Sequence, residues 1–471
     1  MFRKLLSAKI RRRAIILFLG LVLYLITSLS LSPQKSLSQK ISLASAKPTE
    51  IISKLSLSDK VMIMEQKLEA EFETYFNRNL AETTKTGDEI AQILLEIRKN
   101  SKTNPAVIWI IPELDYLHLV LITPGKQPII KDINSLQRET LIQAVKSFHY
   151  DITNPRNLSN NSYLTQAQKI YQWVIAPLEE TLQAERINTI LFCLGNGLRT
   201  LPIAALHDGN QFLVEKYSFS IIPAFNLINS NYTPITKANV LAMGASEFVS
   251  NSPLPAVPLE LSTIVNKNIR DNLSNQIPAD KISGELFLNQ EFTLENLKNK
   301  LLSQSFNIIH LATHAEFKPG NPQNSYIQFW NTQLRLNDMK QISWNNPTTE
   351  LLVLSACRTA VGDAGAELGF AGLALQTGVE SALASLWYVN DIGTLALMSE
   401  FYQQLKTAET KAEAIRQTQI NMIKGDVHLT GETLKLSRDE IALPQNLSNL
   451  KATNFSHPFY WSSFTLISSP W

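Results

Sequence analysis

The chain has 471 residues, which is too long for one small domain and predicts two or three folding units. Hydrophobic residues make up 44% of it, enough for a sizeable core, and Gly and Pro are not in excess, which excludes a fibrous or wholly disordered chain. The formal net charge is +2, but six basic residues precede position 14, so the remainder is slightly acidic. That balance excludes nucleic acid as an obligatory partner, because phosphate binding needs a clustered basic surface.

The first 31 residues combine basic and apolar segments in the order that is typical of export. Residues 14–31 (AIILFLGLVLYLITSLSL) carry no charge and approach the length of ~20 residues that spans a bilayer. Residues 1–31 therefore predict either a cleaved export signal or an uncleaved membrane anchor with its N-terminus inside. We favour the anchor, because the small residues Ala44, Ser45 and Ala46 lie far from the apolar segment. The body of the protein would then lie outside the cytoplasm, tethered to the membrane, or be exported if the signal is cleaved. Residues 32–56, rich in Ser, Lys and Pro, predict a linker.

Three further regions follow the linker. Residues 57–100 predict a short helical region, since apolar residues such as Val61, Leu68 and Phe72 recur at helical spacing. Residues 101–235 predict strands and helices, including the strand TILFCLG that contains Cys193. From 236 to 471 strands alternate with helices, which predicts right-handed crossovers and an α/β fold with a mostly parallel sheet. The helix PLELSTIVNKNI is expected to carry Glu260 on its exposed face.

Two apolar segments in the last region each end in a reactive side chain. FNIIHLATH ends at His314 and ELLVLSAC ends at Cys357, and both have the aliphatic, β-branched composition of buried strands. Functional groups of an open parallel sheet lie beyond the carboxyl ends of its strands. If the two strands are neighbours, His314 and Cys357 meet across one crevice, as a thiol nucleophile and an imidazole base require. Arg358, next to the cysteine, can lower the pKa of a thiol.

Metal and disulfide alternatives can be weighed from the same residues. His310 and His314 are four apart, which on a strand separates them by about 13 Å, too far to share one zinc ion with ligands at ~2 Å. We therefore expect no metal and no cofactor, and we interpret His310 as a core histidine. Cys193 and Cys357 are the chain's two cysteines, and in an exported protein they could instead form one disulfide.

Several segments together resemble the CHAT domain, a bacterial branch of the caspase-like cysteine peptidases of clan CD. They are HLATHAEF, LLVLSACRTA, GFAGLALQTGVESALASLWYVND and HPFYWSSFTLISSPW. Weaker similarities are GNGLRTLPIAAL, PLPAVPLELSTI and AETKAEAIRQTQ. The resemblance covers roughly residues 100–471. It implies a caspase-like three-layer α/β sandwich, with residues 101–235 as the N-terminal part of the CHAT region and 236–471 as its catalytic part.

The resemblance also assigns roles to individual residues. It implies that Cys357 is the nucleophile, that His314 is the general acid and base, and that the backbone N–H groups of Ala315 and Cys357 bind the oxyanion. The substrate would be a protein or peptide. Ala315 stands where the family usually has glycine, and the tetratricopeptide repeats that often precede the family's peptidase domain are replaced by the anchor and the short helical region.

Three carboxylates are candidates for a specificity pocket. Asp363, Glu367 and Asp391 follow strand ends on the same side of the expected sheet. A carboxylate in the pocket would select Lys or Arg before the cleaved bond. The alternative is that these residues cap helices, with Asp391 at the start of a helix from Ile392.

Two classes of function remain open at this stage. The first is an endopeptidase that uses Cys357 and His314. The alternative is a binding or scaffold module in a signalling or regulatory system, which kept the fold without turnover; Ala315 and the missing repeats favour it.

Overall fold

The computed structural model describes residues 55–232, 238–248, 251–265, 282–344, 349–360, 362–447 and 452–471. The predicted membrane segment, residues 14–31, and nearly all of the predicted linker lie outside these ranges. Among the helices of the described ranges, none is both long enough and apolar enough to cross a membrane. Membrane attachment at residues 14–31 therefore stays a prediction.

Strands and helices alternate along most of the described chain. The strands are β1 (Pro105–Pro112), β2 (Leu117–Ile122), β3 (Ile129–Ile133), β4 (Thr189–Leu194), β5 (Ser218–Ile222), β6 (Asn239–Gly244), β7 (Ser283–Leu288), β8 (Ile308–Phe317), β9 (Tyr326–Gln328), β10 (Gln333–Arg335), β11 (Leu351–Thr359), β12 (Ser381–Ser385), β13 (His428–Thr430), β14 (Thr433–Lys435), β15 (Glu440–Ala442), β16 (Thr453–Asn454) and β17 (Phe464–Ser468). The α-helices are α1 (Leu57–Phe76), α2 (Gly87–Asn100), α3 (Arg138–Thr153), α4 (Tyr163–Val174), α5 (Ala176–Ala184), α6 (Leu213–Lys216), α7 (Val257–Ile264), α8 (Leu294–Ser303), α9 (Ala364–Ala371), α10 (Leu373–Thr377), α11 (Asp391–Leu405), α12 (Lys411–Lys424) and α13 (Pro458–Trp461).

One large, mostly parallel sheet organises the fold, as the sequence predicts. Its strand order is β10-β9-β8-β11-β12-β17-β5-β4-β1-β2-β3. Off this path, β6 pairs with β8, and β7 pairs with β6. The central pairs β8–β11, β11–β12, β4–β5 and β1–β4 are parallel. Antiparallel pairs lie towards the ends and at β12–β17. A smaller sheet, β15-β14-β13-β16, forms between α12 and α13.

Strands from both predicted parts of the CHAT region join this one sheet. Strand β17, near the end of the chain, lies between β12 and β5, with Ile467 in register with Ile221. The helical region also packs on the sheet, because α2 contacts β1 and β2. Buried Glu65 of α1 accepts a hydrogen bond from Trp109 Nε1 in β1 at 2.7 Å. The regions that the sequence distinguishes therefore share one hydrophobic core.

The ends of several elements differ from the sequence prediction. Helices α4 and α5 are separate, because Pro177 in the first turn of α5 cannot continue the hydrogen bonding of α4. Likewise Gly372 separates α9 from α10. The β8 and β11 strands run past His314 and Cys357 to Phe317 and Thr359.

Candidate active site

His314 and Cys357 lie on neighbouring strands of the sheet, β8 and β11. The two strands are parallel neighbours, with Ala356 in register with His314 and Cys357 in register with Ala315. His314 and Cys357 are thus one register step apart on adjacent strands. At about 4.8 Å between strands and about 3.3 Å per residue, their Cα atoms lie about 6 Å apart. The register therefore brings the Cα atoms of the predicted pair close together, at positions offset by one residue.

A β-bulge lies directly before the pair. Leu354 is in register with Leu311, yet Ala356 is already in register with His314, so β8 has one residue more than β11 over this stretch. Bulges bend a strand and redirect its side chains, and they are frequent next to active sites. Here the bulge sets the register of His314 relative to Cys357.

The ring of His314 is held by one hydrogen bond and two aromatic neighbours. Nε2 lies 2.8 Å from the carbonyl oxygen of Ser252. Because that oxygen can only accept, Nε2 is the protonated nitrogen, and Nδ1 of the neutral ring carries the free lone pair. Phe248 lies 4.8 Å away between ring centroids, and Tyr388 stacks on the imidazole at 6.4 Å. The ring is half-buried and has one defined basic nitrogen.

The two cysteines are far apart. Cys193 is a free, fully buried thiol in β4, and burial raises its pKa well above the usual value. Strands β12, β17 and β5 separate β4 from β11, which corresponds to about 19 Å at about 4.8 Å per strand. Disulfides need Cα atoms within ~7 Å, so the intramolecular disulfide alternative is wrong.

A cavity of about 490 Å³ opens at the ends of β8 and β11. Its walls come from the last residues of β8 and β11, the segment after β12 and one face of α3. The lining residues are His149, Thr153, Glu316, Phe317, Lys318, Thr359, Ala360, Trp387 and Tyr388. Tyr388 also stacks on His314, which connects the cavity to the candidate catalytic ring. The cavity is large enough to receive at least one substrate side chain.

Glu316 is the carboxylate among these lining residues. It lies two residues after His314 on β8, and its side chain is 31% exposed. Lys318 Nζ lies 2.8 Å from Glu316 Oε2 and 5.0 Å from the ring centroid of Tyr326. A half-exposed pair of this kind contributes only about 0–1 kcal/mol. A cation from outside can therefore displace Lys318 at little cost.

The opposite wall of the cavity is aromatic. Trp387 packs edge-to-face on His149 at 5.2 Å between ring centroids. Burial lowers the pKa of His149 to about 4, so this imidazole is neutral near pH 7. The wall therefore adds apolar surface without positive charge.

The three predicted specificity carboxylates do not converge on this cavity. Asp363 caps α9 and accepts from Ala366 N–H at 2.9 Å. Glu367 is fully buried and accepts from Gly197 N–H at 2.8 Å, and burial raises its pKa. Asp391 is the first residue of α11, whose N-cap is Asn390, and accepts from Ala256 N–H. The alternative of a helix cap is confirmed for Asp363.

The core histidine is confirmed, and the expected exposure of Glu260 is wrong. His310 is fully buried, with Nε2 2.8 Å from Glu260 Oε1 and Nδ1 3.1 Å from the Tyr402 hydroxyl. Glu260 is 1% exposed, because α11 packs over α7 and covers it. Over the described ranges, no group of three or more His, Cys, Asp or Glu residues is arranged to hold a metal ion.

Sequence reasoning missed two contributors to this site. A strand that ends at His314 leaves Glu316 outside the site, although HLATHAEF continues the alternation that a longer strand would show. The Ser252 carbonyl has no side-chain signature, so no motif could have revealed it.

Comparison with solved structures gives matches of low sequence identity. A separase–securin complex from Saccharomyces cerevisiae matches with a TM-score of 0.44 and 11% identity over 82% of this chain and 31% of the matched chain. This chain thus spans about a third of the length of that match. A complex of the pro- and mature domains of Porphyromonas gingivalis RgpB matches with a TM-score of 0.39 and 8% identity, over 77% and 78% of the two chains. The Arg-specific cysteine proteinase gingipain R matches with a TM-score of 0.35 and 10% identity, over 70% and 75%. No curated protein sequence matches.

The family assignment comes from the sequence. The fold is a mixed α/β fold with a central, mostly parallel sheet. A CHAT domain family model matches residues 164–469, more than half of the chain and both His314 and Cys357. The chain belongs to the CHAT domain family. The match begins after β1, β2 and β3, although these strands complete the same sheet.

Proposed function

We propose that this protein is a cysteine endopeptidase of caspase-like, three-layer architecture, with Cys357 as nucleophile and His314 as general acid and base. The observation that carries the proposal is the register of β8 and β11, which sets the two residues one step apart on neighbouring strands. The hydrogen bond from His314 Nε2 to Ser252 supports it, because it leaves Nδ1 as the nitrogen that exchanges the proton.

The reaction follows from these assignments. The Cys357 thiol gives its proton to His314 Nδ1, and the thiolate attacks the scissile carbonyl carbon to form a C–S bond. The imidazolium donates the proton to the departing amine as the C–N bond breaks. Water then attacks the thioester, gives its proton to the imidazole and releases the acid product with the thiol restored. The Ser252 carbonyl stabilises the imidazolium.

The backbone N–H groups of Ala315 and Cys357 are our candidates for the oxyanion site. The two residues are register partners on adjacent strands, which supports the idea that their N–H groups bind the same oxyanion. Ala315 is buried between β11 and β9. If alanine in place of glycine affects oxyanion binding, it would do so through the backbone conformation at Ala315.

We propose a protein or peptide substrate with a basic side chain before the cleaved bond. Support comes from the cavity beside His314, whose lining contains the carboxylate of Glu316 between aromatic walls. In this proposal Glu316 selects the basic side chain, which is the role that the sequence analysis gave to Asp363, Glu367 and Asp391.

The test compares cleavage of a fluorogenic peptide series by the full chain and its cysteine variants. Cys357→Ala should abolish cleavage, while Cys193→Ala, at the buried thiol, should retain it. Circular dichroism of both variants checks the fold. Equal cleavage by wild type and Cys357→Ala would refute the peptidase, and no cleavage by a folded wild-type protein would favour a scaffold module.

A further inference from the structure

Asp391 makes a contact that neither helix capping nor substrate selection explains. It begins α11, but Asn390 is the cap of that helix and accepts from Gly393 N–H at 2.8 Å. The Asp391 carboxylate instead accepts the backbone N–H of Ala256. Ala256 is the N-cap residue of α7, so the carboxylate joins the beginnings of two helices that pack on each other. A negative charge there also interacts favourably with the α7 dipole.

The segment fixed by this contact is the one that orients His314. Ser252, whose carbonyl accepts from His314 Nε2, lies four residues before Ala256. Pro253 and Pro255 lie between them and restrict the backbone, since proline fixes φ. Leu254 is buried, and its N–H donates to the Ser246 carbonyl at 2.9 Å. A displacement of Ala256 is therefore transmitted to the Ser252 carbonyl through a short, stiff segment.

We propose that Asp391 is a positioning residue: by holding Ala256 it fixes the 251–256 segment, and through the Ser252 carbonyl it sets the tautomer and orientation of His314. The inference deepens the proposed function, on which it rests. In this role Asp391 acts on His314 through the 251–256 segment.

Titration of Asp391 adds a pH dependence to this role. The pKa of Asp391 is raised to about 7. Burial is the main cause, the Ala256 N–H opposes it, and the like charge of Glu260 adds to it. The titratable groups facing Asp391 are Glu260 of α7, which is paired with His310, and Tyr388, which precedes α11. A carboxylate accepts a hydrogen bond more strongly than a carboxylic acid does. The contact therefore weakens as the pH falls through about 7.

The test uses Asp391→Asn in the full chain, with Asp391→Glu as the conservative variant and Asp426→Asn as an exposed, charge-matched control. Hydrogen exchange at the Ala256 amide reports the contact directly. We expect exchange at least tenfold faster in Asp391→Asn, partial recovery in Asp391→Glu, and no change in the control. In ¹⁵N-histidine-labelled protein, neutral His314 should be the Nε2–H tautomer, and Asp391→Asn should give a mixture.

Kinetics provide the readout that depends on turnover. Asp391→Asn should lower kcat about tenfold with KM little changed, and it should remove the acidic limb near pH 7 from the wild-type pH profile. Unchanged Ala256 exchange or an unchanged His314 tautomer in Asp391→Asn would overturn the positioning role. If Asp391→Asn shows the expected exchange and tautomer changes but the wild-type protein has no turnover, the peptidase is overturned. The link between Asp391 and His314 is then retained.

Discussion

Replacing Glu316 with glutamine should remove the preference for a basic side chain before the cleaved bond. Glutamine keeps the shape of the side chain and removes its charge from the cavity beside His314. Asp363 and Glu367, which do not line that cavity, should not control selectivity.

The size of the effect follows from exposure. Opposite charges about 4 Å apart attract by about 1 kcal/mol in water and about 4 kcal/mol at the effective dielectric of a protein surface. The Glu316 side chain is 31% exposed, so we use about 2 kcal/mol, near the lower end of that range. Displacing Lys318 costs up to about 1 kcal/mol. The remaining ~1 kcal/mol corresponds to about fivefold in kcat/KM.

The assay is the ratio of kcat/KM for two peptides that differ only by lysine or norleucine before the cleaved bond. We expect a ratio of about five for wild type, about one for Glu316→Gln, and a higher value for Lys318→Met, which removes the competing cation. Glu295→Gln and Lys298→Met make the same charge changes on the exposed surface of α8 and should leave the ratio unchanged. A Glu316→Gln variant that keeps the wild-type ratio would refute the assignment of the cavity.

Two further predictions concern the stability of the fold. Burial lowers the pKa of Lys411 to about 8. Between about pH 8 and pH 10.5 the unfolded chain therefore binds more protons at this residue than the folded chain does, and the free energy of unfolding of the wild type rises with pH. Between pH 8 and 9.5 the free energy of unfolding, measured in guanidinium, should rise by about 2 kcal/mol more in wild type than in Lys411→Met. The same pH dependence of stability in both proteins would contradict this prediction. Glu65→Leu should destabilise by about 2–4 kcal/mol, because it leaves the buried Trp109 Nε1–H and the partly buried Asn226 N–H without their acceptor. Unfolding by guanidinium checks this too, and wild-type stability for Glu65→Leu would show that these contacts contribute nothing.

The strands that carry the site could be predicted, but their ends could not. Aliphatic runs before His314 and Cys357 are sufficient to identify β8 and β11, because strands covered on both faces read as continuous apolar segments. Glu316 and Arg358 interrupt that pattern. Beyond the reach of β6, the strand β8 continues because it pairs with β11 on one edge and with β9 on the other. The strand ends therefore depend on partners that a local pattern does not contain.

The roles of single charged residues were harder to predict than the strands. Glu260 occupies a position on α7 that an amphipathic pattern assigns to solvent, yet α11 covers it and His310 pairs with it. Asp391 shares its edge of the sheet with the site, but its partner is a backbone N–H of the segment before α7. These two contacts join residues 50 and 135 positions apart, and neither leaves a spacing signature in the sequence.

The central claim is that the His314 imidazole activates the Cys357 thiol, and alkylation kinetics test it most directly. The rate of iodoacetamide labelling is measured at each cysteine by peptide mass spectrometry, as a function of pH, in wild type and His314→Gln, with buried Cys193 as the internal control. The account predicts that Cys357 reacts rapidly below pH 7 in wild type. In His314→Gln, the labelling of Cys357 should instead rise only at the higher pH of an ordinary thiol, whose pKa is about 8.5. Identical pH profiles for Cys357 in the two proteins would contradict it.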